Sequence, residues 1–177
     1  MTNPAADIDI QAFRGVFASV AGAVSVLSVG EGDDRTGLTA TSVSAFSAEP
    51  PSVVINVNTS SSSWPAIQKY GRFCINVLAR NQEVVAQNFS GQGGRSGPAR
   101  YEGAEWTTLT SGAPVLNGAI ANVDCVLDEA IIRYSHAIVI GRIVALRTGD
   151  VHLPLLYWRR GFHGLHGLEA VQTLAAE

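Results

Sequence analysis

Two long alternating runs constrain this chain more than anything else in it. Residues 120–132 and 137–147 each step between apolar and polar or small side chains, and a short link separates them. Period-two alternation of that length marks a strand with one buried face. Two such runs in succession are expected to pair as neighbouring strands of a barrel. Shorter strand-like segments surround the pair: 23–29 with one buried face, the hydroxyl-rich stretch 37–47, then 52–58, 72–78, 106–109 and 155–158. Helical spacing is confined to three places. Ile10, Phe13, Phe17, Val20 and Ala21 place an amphipathic helix over 9–21, with Asp7 or Asp9 as its cap. Residues 64–70 follow Ser63 as cap with Pro65 in the first turn, and 81–89 carry Val84, Val85 and Phe89 as an apolar side. Helices this few do not alternate with strands, so the pattern predicts a closed or nearly closed antiparallel barrel with a few short helices, not a parallel sheet.

The chain has 177 residues, which fits one domain with a core over about 10–166 and a tail over 167–177, read as a loose helix from Leu168. Eighteen glycines suit a fold rich in tight turns. The net charge is −3 and Lys69 is the single lysine, which argues against nucleic acid as a partner, since that affinity needs clustered positive charge. No apolar run reaches the roughly 20 residues of a membrane span. Residues 1–9 lack the basic and apolar regions of a signal peptide. Cys74 and Cys125 each sit inside an apolar run and read as buried reduced thiols, which places the chain in the cytoplasm. No Cys/His pair has zinc spacing, so no metal site is legible.

Three features carry possible chemistry. The first is Thr39-Ala40-Thr41-Ser42, whose small side chains admit a flat ligand close to the backbone while hydroxyls and amides bond its polar edge. An edge strand with a solvated face is the alternative. The second is the five-hydroxyl run from Thr59 to Ser63 before a helix N-terminus, where unpaired N–H groups favour a phosphate. A capped helix after a polar loop is the alternative, although one cap needs one hydroxyl. Ser90, after Phe89, could add to the same phosphate site. The third is His136 at the start of a strand, placed to face a cleft or merely half-exposed. His152 reads as surface, and His163 and His166 lack a third ligand. There is no nucleophile elbow, and no phosphate loop ending in Gly-Lys-Ser/Thr.

Taken in order, these features resemble the short-chain flavin reductase family, the reductase partners of two-component flavin monooxygenases. The carriers are Phe13-Arg14, Gly22-Ala23-Val24-Ser25-Val26, Gly37-Leu38-Thr39-Ala40-Thr41-Ser42, and Ser47 with Glu49-Pro50-Pro51. Gly71 to Leu78, Asn81-Gln82, Phe89, Gly112-Ala113-Pro114, Asp124-Cys125, His136 and Pro154 to Tyr157 complete the set. The resemblance implies a mostly β fold, an antiparallel split β-barrel of Greek-key type, in a homodimer with FMN or FAD near the interface. It implies hydride transfer from NADH or NADPH, with reduced flavin released to a monooxygenase component. Position by position, Thr39, Ala40, Thr41 and Ser42 would line the isoalloxazine, with Asn56, Val57 and Asn58 along the ring. Ser61 and Ser62 would reach the phosphate or ribityl chain, with Phe89 and Ser90 near it. His136 would stand by the nicotinamide, and Tyr157, Arg159 and Arg160 would border the pocket. Where the family often has Gly-Asp-His, this chain has Tyr134-Ser135-His136, so the carboxylate that could orient the histidine is missing. Two alternatives remain: a same-fold reductase passing electrons to a corrinoid or metal complex, and a flavin-binding protein without reductase activity.

Overall fold

A computed structural model describes residues 8–150 and 153–165; the predicted tail helix, His152 and His166 lie outside the described residues. In chain order the elements are α1 (Ile10–Phe17), β1 (Gly22–Ala23), β2 (Ser25–Val29), β3 (Thr36–Ala40), β4 (Ser44–Ala48), β5 (Pro51–Asn58), α2 (Ser63–Tyr70), β6 (Arg72–Val77), α3 (Glu83–Phe89), β7 (Trp106–Thr108), β8 (Pro114–Leu116), β9 (Ala121–Arg133), β10 (His136–Thr148), β11 (Leu155–Trp158) and β12 (Gly161–Gly164). The two alternating runs are β9 and β10. They pair antiparallel from His136 opposite Arg133 to Thr148 opposite Ala121, around a tight turn where Tyr134 takes a positive φ of 54°.

This hairpin is the centre of a seven-stranded antiparallel sheet, ordered β3-β2-β6-β9-β10-β5-β4. A three-stranded sheet, β1-β11-β12, and the β7–β8 pair complete the strands. The long sheet curls around a first core in which β2 and β6 (Leu27, Phe73, Ile75) meet β5 and β10 (Ile55, Val139), with Trp64 and Ile67 of α2. Strands three or four places apart in the ladder therefore share one interior. A second core, on the other side of β2, holds Val26, Leu78, Phe89, Tyr101, Leu116 and Leu155. Each fully buried aliphatic or aromatic side chain contributes roughly 1.5–3 kcal/mol.

Buried polar groups tie the strands together. Asn76 donates to the Val26 carbonyl at 3.0 Å and the Ser28 hydroxyl at 2.9 Å, and accepts from the Leu116 amide and the Asn122 side chain, both at 2.8 Å. Arg147 closes the network on the Asn122 side-chain oxygen and the Leu116 carbonyl, each at 2.7 Å. Cys74 and Cys125 are buried and free, and burial pushes the Cys125 thiol up to about 12.

Five local expectations are corrected. The first helix stops at Phe17 instead of 21, and none of its residues is buried. The predicted strand 23–29 breaks at Val24, because Gly22–Ala23 pairs with β11 while Ser25–Val29 pairs with β3 and β6. Every residue of β2 is buried, since a core covers each face. The stretch 37–47 is two strands with a bend at 41–43. In α3 the buried face is Val85, Ala86, Asn88 and Phe89, and Val84 points to solvent.

Candidate functional site

Strand β3 is held between the two cores by side chains of opposite sense. Leu38 and Ala40 pack on the first core. On the other face Gly37 lies under α3, where a Cβ would come within 2.5 Å of the Phe89 ring and 2.3 Å of the Leu27 carbonyl oxygen. The missing side chain lets α3 settle onto the strand. The Thr39 hydroxyl then donates to the Ala86 carbonyl of α3 at 2.6 Å. Past the end of β3, Ser42 reaches β5: its hydroxyl accepts from the Asn56 amide at 3.3 Å and donates to the Asn56 carbonyl at 3.4 Å.

Thr39, Ala40 and Thr41 form one wall of a cavity of about 220 Å3, faced by Ser90, Gln92 and Tyr157 and floored by Val24 and Phe162. Tyr157 and Phe162 meet edge to face, with centroids 5.3 Å apart. Five of the residues named from the sequence thus converge on one cavity: Thr39, Ala40, Thr41, Ser90 and Tyr157.

The hydroxyl run does little capping. Ser62 occupies the N-cap position of α2 and makes no side-chain cap bond. Its hydroxyl bonds that of Thr36 at 3.0 Å, and both residues line a second cavity of about 290 Å3 with Arg35 and Lys69. Thr59 donates to the Ser135 carbonyl at 3.2 Å, and Ser60 donates to the Asn58 side chain at 2.8 Å. The hydroxyls of Ser61 and Ser63 are buried without any partner. A buried hydroxyl left unpaired costs about 1–3 kcal/mol, so two of them beside a helix N-terminus are suited to an anionic ligand. Lys69 is already committed: its ammonium and the Tyr70 hydroxyl both bond Asp34, which holds that carboxyl below its ordinary value, the Lys69 bond contributing most.

His136 opens β10 opposite Asn58, is exposed, and shares a 2.9 Å hydrogen bond between its Nδ1 and the Ser135 hydroxyl. It does not line the Thr39–Thr41 cavity. Its link to that region runs through β5. Asn58 is two residues, about 7 Å of strand, beyond the Asn56 that Ser42 grips, and Asn56 and Asn58 are both exposed.

Two side-chain expectations are corrected. Val57, between the two asparagines, points into the first core and is fully buried. Phe89 is 1% exposed, with its ring against Tyr101 and Trp106, so its side chain serves the core and not the cavity surface. Arg159 and Arg160 form the positive-φ turn between β11 and β12; Arg159 stacks on Trp158, and Arg160 lines a neighbouring cavity. The cavity also recruits residues that the sequence reading did not single out. Phe162 belongs to a strand too short to show alternation, and Gln92 sits in a Gly-rich loop with no period to read.

Residues 17–166 match a family described as "Flavin reductase like domain". The chain is 34% identical over 151 residues to the 4-hydroxyphenylacetate 3-monooxygenase reductase component of Salmonella typhimurium, covering 85% of this chain and 89% of that one. It is 31% identical to FMN reductase (NADH) RutF 2 of Rhizobium rhizogenes, over 92% of this chain and 93% of the relative. Among solved structures, BorF, the flavin reductase component of a bacterial two-component tryptophan halogenase, superposes with a TM-score of 0.82 at 30% identity, covering 90% of this chain and all of that one.

Proposed function

Because the chain belongs to the flavin reductase-like domain family, we propose that it is an NADH-dependent reductase that delivers reduced FMN or FAD to a separate monooxygenase component. The observation that carries the reading is the cavity lined by Thr39–Thr41, Ser90 and Tyr157, with the unpartnered buried hydroxyls of Ser61 and Ser63 as its second support. The relatives are named as reductase components and as an NADH-dependent FMN reductase, which supports the donor and the class of acceptor.

The flavin, when bound, supplies the hydride-accepting ring. The chain's residues position and stabilise. Thr39 to Ser42 present backbone groups from a strand locked by the Ala86 and Asn56 bonds, ready for charge that grows at the ligand edge. Ser61 and Ser63 offer hydroxyls to the phosphate. His136, fixed by Ser135, orients the nicotinamide from the Asn58 end of β5; it is a positioning residue in this reading.

A homodimer and a split barrel belong to the same proposal. A cavity of about 220 Å3 is smaller than the roughly 300–1,000 Å3 of ordinary ligand sites, and a second copy would enlarge it. Helix α1 buries nothing against its own chain and exposes Phe13, Val16 and Phe17, which suits coverage by that copy. The long curled sheet as the split barrel, the span of one domain and a cytoplasmic location complete the reading.

The test mixes the purified chain with NADH and excess FMN or FAD and follows nicotinamide oxidation. Turnover of free flavin is expected; tight stoichiometric flavin without turnover would make the chain a flavin carrier instead. In stopped-flow traces, His136→Ala should slow flavin reduction more than it weakens flavin binding, and an unchanged reduction rate removes His136 from this role.

A further inference from the structure

Strand β5 ends at Asn58 directly beside His136, where β10 begins. Just past that pair, Thr59 makes two bonds to one acceptor. Its amide donates to the Ser135 carbonyl at 3.0 Å, and its hydroxyl donates to the same oxygen at 3.2 Å. A carbonyl oxygen has two lone pairs, and Thr59 takes both. That carbonyl belongs to the peptide unit whose nitrogen is His136's. The histidine is thus fixed twice, through its backbone by Thr59 and through its ring by the Ser135 hydroxyl at 2.9 Å. The hairpin needs the tie, because its turn residue Tyr134 is fully exposed and carries a φ of 54°, which an L side chain disfavours. On its other side Thr59 opens the hydroxyl run. The Asn58 side chain accepts from the Ser60 amide at 2.9 Å and the Ser60 hydroxyl at 2.8 Å, and the Asn58 carbonyl accepts from the Ser61 amide at 3.0 Å. The Ser61 carbonyl in turn accepts from the Trp64 amide at 3.2 Å. Residues 58–64 are therefore two consecutive closed turns that hold the partnerless hydroxyls of Ser61 and Ser63, and Thr59 joins them to the hairpin.

We propose that Thr59 is a positioning residue that links the flavin's phosphate to His136, so that a flavin carrying a phosphate is reduced faster than one without it. The inference rests on the reductase reading, which gives Ser61 and Ser63 to the phosphate and His136 to the nicotinamide. A phosphate held by Ser61 and Ser63 braces the two turns, the turns fix Thr59, and Thr59 fixes the peptide unit that leads into His136. Coupling of this kind travels through a contiguous hydrogen-bonded path, and Thr59 is two positions from Ser61 while Ser135 adjoins His136. Riboflavin has the same ring as FMN and no phosphate, so it fills the cavity and leaves the turns unbraced.

The experiment uses the full chain with Thr59→Val, which keeps the backbone bond and the branched shape but loses the hydroxyl, and Thr59→Ser, which restores the hydroxyl. Stopped-flow reduction by NADH is followed at saturating FMN or riboflavin, where affinity no longer enters. The native chain should reduce FMN about ten-fold faster than riboflavin, a part of the ~100-fold that attends a 1 Å misplacement. Thr59→Val should bring the two rates together by slowing FMN, and Thr59→Ser should part them again. Inorganic phosphate added with riboflavin should speed the native chain and leave Thr59→Val unchanged. In a His136→Ala background, Thr59→Val should change nothing further, because both act through one side chain; a further loss would mean that Thr59 meets the ligand itself and overturns the proposal. Equal native rates with FMN and riboflavin, or a native ratio in Thr59→Val, overturn it as well. The NMR signals of the His136 ring read the link without turnover: they should differ between the FMN and riboflavin complexes of the native chain and coincide in those of Thr59→Val. A native chain that shows this difference yet reduces neither flavin keeps the link and refutes the reductase reading, whereas His136 signals blind to the phosphate overturn the link itself.

Discussion

Replacing Gly37 with alanine tests whether the packing of α3 on β3 builds the site. The added Cβ would lie 2.3 Å from the Leu27 carbonyl oxygen and 2.5 Å from the Phe89 ring. Relaxed contact lies near 3.5 Å, so one partner must retreat by about 1 Å. The oxygen cannot do so cheaply, because Leu27 lies in β2, hydrogen-bonded between β3 and β6. Phe89 cannot either, since its ring is wedged against Tyr101 and Trp106 with centroids 4.9 and 5.5 Å away. Overpacking of this kind costs about 1–3 kcal/mol, and two rigid partners put Gly37→Ala at the upper end. A shift of about 1 Å in a positioning strand also carries a rate penalty of up to ~100-fold. Urea unfolding and FMN-dependent NADH oxidation measure the two effects. Adding Phe89→Leu should recover only the ring's share, leaving the clash with the carbonyl. A Gly37→Ala protein within about 0.5 kcal/mol of native stability, an ordinary surface effect, and with native kcat/KM would refute the argument.

Other residues give sharper signs than magnitudes. Ser63→Ala should leave the flavin-free protein as stable as native or more stable by up to about 1–3 kcal/mol, by removing an unpaired buried hydroxyl, while FMN binds more weakly in a fluorescence titration; equal FMN affinity would show that the hydroxyl awaits no phosphate. Asn76→Ala should cost about 3 kcal/mol or more in urea unfolding, because it strands the Leu116 amide and Asn122 in a dry core; a loss under 1 kcal/mol would mean water replaces the side chain. The Cys125 thiol titrates near 9 when unfolded and near 12 when folded, because burial disfavours the thiolate. Its unfolded form therefore sheds the proton first, and native stability falls as pH rises from about 9 to 12, by at most ~1.4 kcal/mol per pH unit. Comparing native and Cys125→Ala unfolding across that window should show a shallower decline in the variant, and parallel curves would refute the burial argument.

Strand periodicity made the β9–β10 hairpin legible to within a residue at each inner end, since two 13-residue strands carry enough alternation to fix both phase and pairing. The same rule says nothing about β12, which has four residues and two glycines. It also misjudged β2, because alternation predicts one covered face and the fold places a core on each. Side-chain direction was the weaker part of the site reading. Whether Val57 or its neighbours Asn56 and Asn58 face outward depends on the phase of β5 against β10, which the bend at 41–43 and the Ser42–Asn56 bonds help to set. Phe89 sits at the end of a helix whose buried face is decided by a glycine on another strand. Contacts of that kind join residues about fifty positions apart and leave no local trace.

The hydroxyl density of 39–42 carries a different meaning once the bonds are assigned. Thr39 and Ser42 spend their hydroxyls on Ala86 and Asn56, so they fix the strand more than they greet a ligand. What the strand has left to offer is its main chain. Strand β3 ends the seven-stranded sheet, and among the described residues it pairs only with β2 and its outer edge has no strand partner. Unpaired edges ordinarily invite aggregation, and proteins cover or blunt them. Here the bend after Ala40 takes the chain away before β4 begins, and the exposed edge is short and lies against Ser90, Gln92 and Tyr157. A flat ligand with carbonyls and ring nitrogens along one side is the partner such an edge accepts, with its N–H and C=O groups taking the place of a missing strand. Small side chains at 40 and 41 keep the approach open. On this view the threonines and serine are the clamps of the platform, and its recognition surface is backbone.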